Sequence, residues 1–189
     1  MSAAFVLAIT VAWTIMFLRV VIMVGLANPS LAALLSMPLG LMAATGILVS
    51  LVLWRHSRSR ETGVVTTGAN PFELGEAIKF GLLFGVVTVV AKAAEVYLGE
   101  TGLYLAGAVA GLTDVDAISL SMANLATADG ASLKIAARTI VVAVLSNTVA
   151  KTGMAVFLGT PALRRTLLWA TLFFLIAGAA GAIIVGRAS

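Results

Sequence analysis

Long apolar runs separated by short polar breaks organise this chain, and the runs share one characteristic length. They cover residues 4–26, 31–54, 72–98, 102–125, 133–158 and 162–185. An α-helix rises about 1.5 Å per residue, so roughly 20 apolar residues cross the hydrocarbon of a bilayer. Each run is long enough for one crossing. The apolar residues do not alternate with polar ones, and open strands would leave backbone groups unpaired in lipid. The pattern therefore predicts an all-α polytopic membrane helical bundle with six transmembrane helices, folded as one domain over residues 1–189.

The breaks carry the expected helix-end chemistry. Asn28-Pro29-Ser30 ends the first run, with Ser30 placed to cap the second. Trp54 reads as an interfacial anchor before a polar loop over 55–70, which opens with Arg55-His56-Ser57-Arg58-Ser59-Arg60-Glu61. Glu73 and Glu76 suit the first turn of the third helix, and Pro161 opens the sixth. The fourth run contains Gly111-Leu112-Thr113-Asp114, residues that favour a turn over a helix. An interruption of the fourth helix near Gly111–Asp116 is expected. The pairs Gly107/Gly111 and Ala177/Gly181 have the spacing of close helix contacts.

Composition supports the lipid setting. Of 189 residues, 61% are hydrophobic and only 11% charged, whereas a soluble domain is about one quarter charged. Mean hydropathy is +1.11. The chain has no Cys and one His, His56, which excludes disulfides, thiolate chemistry and a His-rich metal centre. The first run lacks a basic leader and a cleavage site, so it reads as a crossing. With six crossings, Arg55, Arg58, Arg60, Lys134 and Arg187 fall on one side, which would be cytoplasmic together with both termini. Arg164 and Arg165 fall on the other side and disagree.

Six ionisable residues stand out inside the predicted crossings: Arg19, Lys92, Glu95, Asp114, Asp116 and Lys151. A charge at the bilayer centre costs roughly 2.5–3.5 kcal/mol on insertion scales, so such groups face the bundle interior and pair. Arg19 and Lys151 each stand ten positions before a proline, Pro29 and Pro161, and Lys92 stands ten before Gly102. A repeat of this kind would make the first, third and fifth helices run the same way. Lys and Arg can snorkel and Lys92 can pair with Glu95, but Asp is too short to snorkel far. An unwound Thr113–Val115 would let Asp114 and Asp116 share one ligand; a continuous helix would set Asp116 beside Ser119 instead. Two carboxylates and nearby hydroxyls suit a hard cation or protons. Asn147 and Lys151 share a face of the fifth helix, where Asn147 is either a polar ligand or a bond between helices.

The elements Asn70-Pro71-Phe72-Glu73-Leu74, Gly102-Leu103-Tyr104, Gly111-Leu112-Thr113-Asp114-Val115-Asp116-Ala117-Ile118-Ser119 and Leu145-Ser146-Asn147-Thr148-Val149-Ala150-Lys151 resemble a bacterial membrane domain of uncharacterised function. That domain typically follows an MgtC/SapB-type domain. The resemblance implies a bacterial inner-membrane protein with a link to magnesium or general ion homeostasis, and it supplies no substrate.

These readings converge on a transporter or channel-like protein for a small ion. Its site is expected at Asp114, Asp116, Thr113, Asn147 and Lys151, with Asp114 and Asp116 as the candidate metal ligands. Lys92, Glu95 and Arg19 are the counter-charges. The alternative is a non-transporting membrane partner whose buried charges are structural. No enzyme motif is present, and no cofactor is expected. The expected partners are the lipid bilayer, a small ion, and a second copy of the chain or an MgtC/SapB-type domain. Nucleic acid is not among them.

Overall fold

The computed structural model describes residues 2–57, 101–126 and 130–187. The third predicted crossing, with Lys92 and Glu95, lies outside these residues, as does most of the 55–70 loop. Among the described residues all regular structure is helical. The helices are α1 (Ser2–Ala27), α2 (Pro29–Ser57), α3 (described over Thr101–Gly111), α4 (Val115–Leu125), α5 (Gly130–Leu158) and α6 (Pro161–Arg187).

Among the described residues, four helices are long and apolar enough to cross a membrane: Phe5–Ala27, Pro29–Arg55, Leu133–Phe157 and Pro161–Ile184. Their outward surfaces carry Phe5, Ile22, Leu48, Phe157, Trp169 and Ile176, all exposed. In water such continuous apolar surface drives association, whereas lipid solvates it. The chain is a multi-pass membrane protein.

The inward faces interlock. Phe17, Val20 and Val24 of α1, Leu31, Leu35 and Met42 of α2, Ile140 and Val144 of α5, and Leu167 and Phe174 of α6 are fully or almost fully buried. Phe174 meets Phe17 and Trp13 edge to face, with ring centroids 5.4 and 5.7 Å away. Lipid tails are as apolar as these side chains, so close packing and hydrogen bonds must hold the helices together. The small residues supply the packing. A methyl on Gly107 would lie 2.8 Å from the Thr139 carbonyl oxygen, and one on Gly181 would lie 2.9 Å from Pro38 Cβ. Thr10 bonds Ser50 at 3.1 Å and Thr152 bonds Thr171 at 2.7 Å.

The order of these contacts gives the helix directions. Thr10 meets Ser50, Thr14 adjoins Gly46 and Gly25 adjoins Ala32, so α1 and α2 are antiparallel. Pro38 adjoins Gly181, Met42 adjoins Gly178 and Gly46 adjoins Phe174, so α2 and α6 are antiparallel. Thr152 meets Thr171 and Leu145 adjoins Gly178, so α5 and α6 are antiparallel. Hence α1 and α6 run one way, and α2 and α5 run the other. We term the end of the bundle where α1 begins the near end, and the end holding the α1–α2 turn the far end.

Two expectations change as a result. The first described helix begins at the near end and the last finishes at the far end, because α1 and α6 run the same way, which departs from an arrangement with both on one side. The repeat relation with α1 and α5 running the same way also fails. The hairpins α1–α2 and α5–α6 are instead inverted relative to each other. Both turn on the same device: Asn28 Oδ1 accepts from Leu31 N at 3.0 Å, and Thr160 Oγ1 accepts from Leu163 N at 3.4 Å, each just before a proline. The cap of α2 is therefore Asn28 and not Ser30, with Pro29 at the first helical position, where its missing N–H costs nothing.

Candidate functional site

The stretch expected to be one interrupted crossing, 102–125, folds back on itself. Gly107 adjoins Thr139 and Gly111 adjoins Ala143, so α3 runs parallel to α5, from the far end towards the middle. Arg19 meets Asp116, and Asn28 Nδ2 donates to the carbonyls of Ala123 and Ala126 at 3.3 and 3.2 Å, so α4 runs parallel to α1. It returns to the far end, where α5 begins. The two helices form a hairpin between α1 and α5 with its tip inside the bundle. Arg19 and Ala143, which meet the tip, stand roughly 12–15 Å along their apolar spans from the far end at 1.5 Å per residue.

Local sequence makes the tip. Leu112 N and Thr113 N donate to Val109 O and Ala110 O at 3.2 and 3.0 Å, tightening the last turn of α3. Thr113 Oγ1 also donates to Ala110 O, at 2.9 Å. Asp114 then adopts an extended conformation (φ −146°, ψ 125°) and caps α4, its Oδ1 accepting from Asp116 N at 3.0 Å. Asp116 occupies the first turn of α4, where the helix dipole favours a negative charge. Backbone left open by the break is met from α5. Asn147 Nδ2 donates to Gly111 O at 2.7 Å, and Ser146 Oγ donates to Ala108 O at 2.6 Å.

The charges divide their tasks. Asp116 Oδ2 pairs with the Arg19 guanidinium, while one oxygen of Asp114 is engaged in capping. Lys151, one turn beyond Asn147, is partly buried, and its Nζ lies 3.6 Å from Met16 Sδ. Its ammonium is within electrostatic reach of Arg19, Asp114 and Asp116. The tip thus gathers two positive and two negative side chains. Three further oxygens at the site are buried and find no hydrogen-bond partner among the described residues: Asp116 Oδ1, Ser119 Oγ and Asn147 Oδ1. A buried acceptor left unmade costs about 1–3 kcal/mol, which a folded protein retains only for a reason.

Of the residues singled out from sequence, Arg19, Thr113, Asp114, Asp116, Asn147 and Lys151 therefore come together around one turn. Ser119 and Met16 join them. Ser119 was visible through its spacing from Asp116; Met16 had no signal, because an apolar residue on an apolar helix carries none. Arg138, inside the predicted fifth crossing, was also passed over as an ionisable group. No group of three His, Cys, Asp or Glu side chains occurs among the described residues. Among the described residues, the further ligands open to a cation at Asp114 and Asp116 are Asn147, Ser119 and backbone carbonyls.

Comparison with known proteins gives a family without an assigned activity. An uncharacterised protein of Aquifex aeolicus (strain VF5) is 29% identical over 177 residues, covering 93% of this chain and 77% of the relative. No solved structure matches. A family model described as a domain of unknown function (DUF4010) matches residues 1–159, from α1 to the end of α5, and the chain belongs to that family.

Proposed function

We propose that this protein carries a small cation, an inorganic ion or a proton, across the membrane, with the tip of the α3–α4 hairpin as its binding site. The observation that carries this reading is the set of oxygens that find no partner among the described residues at a helix break inside the bundle: Asp116 Oδ1, Ser119 Oγ and Asn147 Oδ1. Broken helices between inverted helix pairs are a recurrent way to build ion sites, because the break frees backbone dipoles where lipid would not tolerate them. Here the break lies between two inverted hairpins. Arg19 and Lys151 act as resident positive charges. An arriving cation displaces Arg19 from Asp116, and Arg19 has room to move because its side chain is 58% exposed. Lys151, which among the described residues meets a thioether and no carboxylate, balances the site in the empty state. Rocking of one hairpin against the other would expose the tip to each face in turn.

The orientation follows from regrouping the basic residues. Arg164 and Arg165, at the start of α6, lie at the near end with Arg55, and Arg58 and Arg60 follow in sequence. Lys134, Arg138 and Arg187 lie towards the far end. We place the near end, with the N-terminus, in the cytoplasm of a bacterial cell. Association with an MgtC/SapB-type domain belongs to this proposal.

The test is ion flux in liposomes loaded with Na⁺, K⁺ or Mg²⁺, with a pH dye reporting protons. Asp116→Asn and Asn147→Leu should each lower flux at least tenfold while the protein stays folded and monodisperse. Folded variants with wild-type flux would overturn the site. A wild-type protein inert to all four ions would favour the second reading, a non-transporting membrane partner. The Arg19–Asp116 pair supports that alternative, since it holds two helices in register without any ligand.

A further inference from the structure

On the opposite side of α5 from Met16, a groove of about 490 Å³ opens between α3, α5 and α6. Its walls are Val141, Leu145, Ala182 and Ile183, and its polar groups are Tyr104 and Arg138. Arg138 is exposed although it lies only five residues inside the apolar span that begins at Leu133. That places its Cα about 7–8 Å below the start of the span, within snorkelling reach of the headgroup layer. Lys134 stands one turn nearer the far end on the same face of α5, because residues four apart are neighbours on a helix. No ion pair to Arg138 or Lys134 occurs among the described residues. Two cations thus stand at the mouth of an apolar trough that runs inward along α5 and α6.

We infer that this groove binds an anionic phospholipid. Its phosphate would lie between Arg138 and Lys134, with the Tyr104 hydroxyl as a further donor, and an acyl chain would lie along Val141, Leu145 and Ile183. The guanidinium matches a phosphate through paired N–H donors. The second positive charge favours a headgroup with net negative charge over a zwitterionic one. The inference does not depend on the transport reading, since the groove and the hairpin tip share no side chain.

Native mass spectrometry of the protein released from mixed phosphatidylglycerol and phosphatidylcholine nanodiscs tests it. The wild-type protein should retain phosphatidylglycerol in preference to phosphatidylcholine. Each basic group near the surface contributes about a fivefold preference, so Arg138→Gln should cut that preference about fivefold and Arg138→Lys should largely keep it. Arg165→Gln, at the other end of the bundle, should leave it unchanged. A thermal melt shows that each variant is folded. Retention unaffected by Arg138→Gln, or reduced equally by Arg165→Gln, would overturn the inference. So would displacement by soluble glycerol phosphate, which would make this a simple anion site, or a dimer broken by Arg138→Gln that retains no lipid.

Discussion

Replacing Gly111 by Ala tests the geometry of the hairpin with the smallest available perturbation. A methyl at this position would run into the carbonyl oxygen of Ala143 and lie 2.7 Å from its Cα and 2.8 Å from its carbonyl carbon. All three obstacles are backbone, so no side chain can rotate away. Reaching an ordinary contact of 3.4 Å requires α3 to retreat from α5 by at least about 0.7 Å. That retreat stretches the Asn147–Gly111 and Ser146–Ala108 bonds, now 2.7 and 2.6 Å, together. Overpacking costs typically about 1–3 kcal/mol, and hydrogen bonds between membrane helices average about 0.6 kcal/mol each. The sum is roughly 2–4 kcal/mol. The assay is equilibrium unfolding in mixed micelles of rising sodium dodecyl sulfate content, followed by circular dichroism. Gly153→Ala is the matched control, because a methyl there meets nothing within 4 Å. The control should be neutral or slightly stabilising, since Ala favours the helix over Gly. A Gly111→Ala protein as stable as the control would refute the close α3–α5 packing, and with it the placement of the tip.

Two further outcomes follow from the same architecture. The chain has no cysteine, so single cysteines can map its faces. Thr101→Cys, Asn124→Cys and Ser30→Cys should all react with an impermeant maleimide from one side of the membrane, and Ala162→Cys from the other. Reaction of Thr101→Cys and Asn124→Cys from opposite sides would restore a single crossing over 102–125. Asn28→Ala removes the α2 cap and both bonds to the end of α4. It should cost about 1–2 kcal/mol in the same unfolding assay, at the upper end of the range for a lost cap, whereas Ser30→Ala should cost almost nothing. Equal losses in the two would return the cap to Ser30.

Hydropathy made the long helices legible because each of the four described spans is one continuous apolar run. It misread 102–125 for a physical reason. The described part of α3 and the whole of α4, about 11 residues and roughly 16 Å each, make up an apolar run as long as one crossing when read end to end. Nothing in run length distinguishes a helix that continues from one that turns back. The turn itself was legible, since Gly111, Thr113 and Asp114 disfavour helix locally, but its angle depends on α1 and α5 and is a tertiary property. The close contacts at Gly107, Gly111 and Gly181 were legible from spacing alone. Their partners Thr139, Ala143 and Pro38 were not, because spacing on one helix does not specify its neighbour.

The disagreement of Arg164 and Arg165 with the other basic residues carried the missing information. Counting 102–125 as a full crossing reverses the assigned side of everything after it, so Lys134 and Arg187 joined Arg55 wrongly and Arg164 and Arg165 were left as exceptions. Once α4 returns to the far end, α5 begins there, and Arg164 and Arg165 join Arg55 at the near end while Lys134, Arg138 and Arg187 fall towards the far end. The same reversal turns the paired spacing of Arg19 with Pro29 and Lys151 with Pro161 into an inverted relation. The two basic residues then approach the interior from opposite ends of the bundle, and both reach the charged tip of one hairpin. A direct repeat would have placed both on the same side of it. Under the proposed alternation of access, inversion would set one resident cation towards each half of the path.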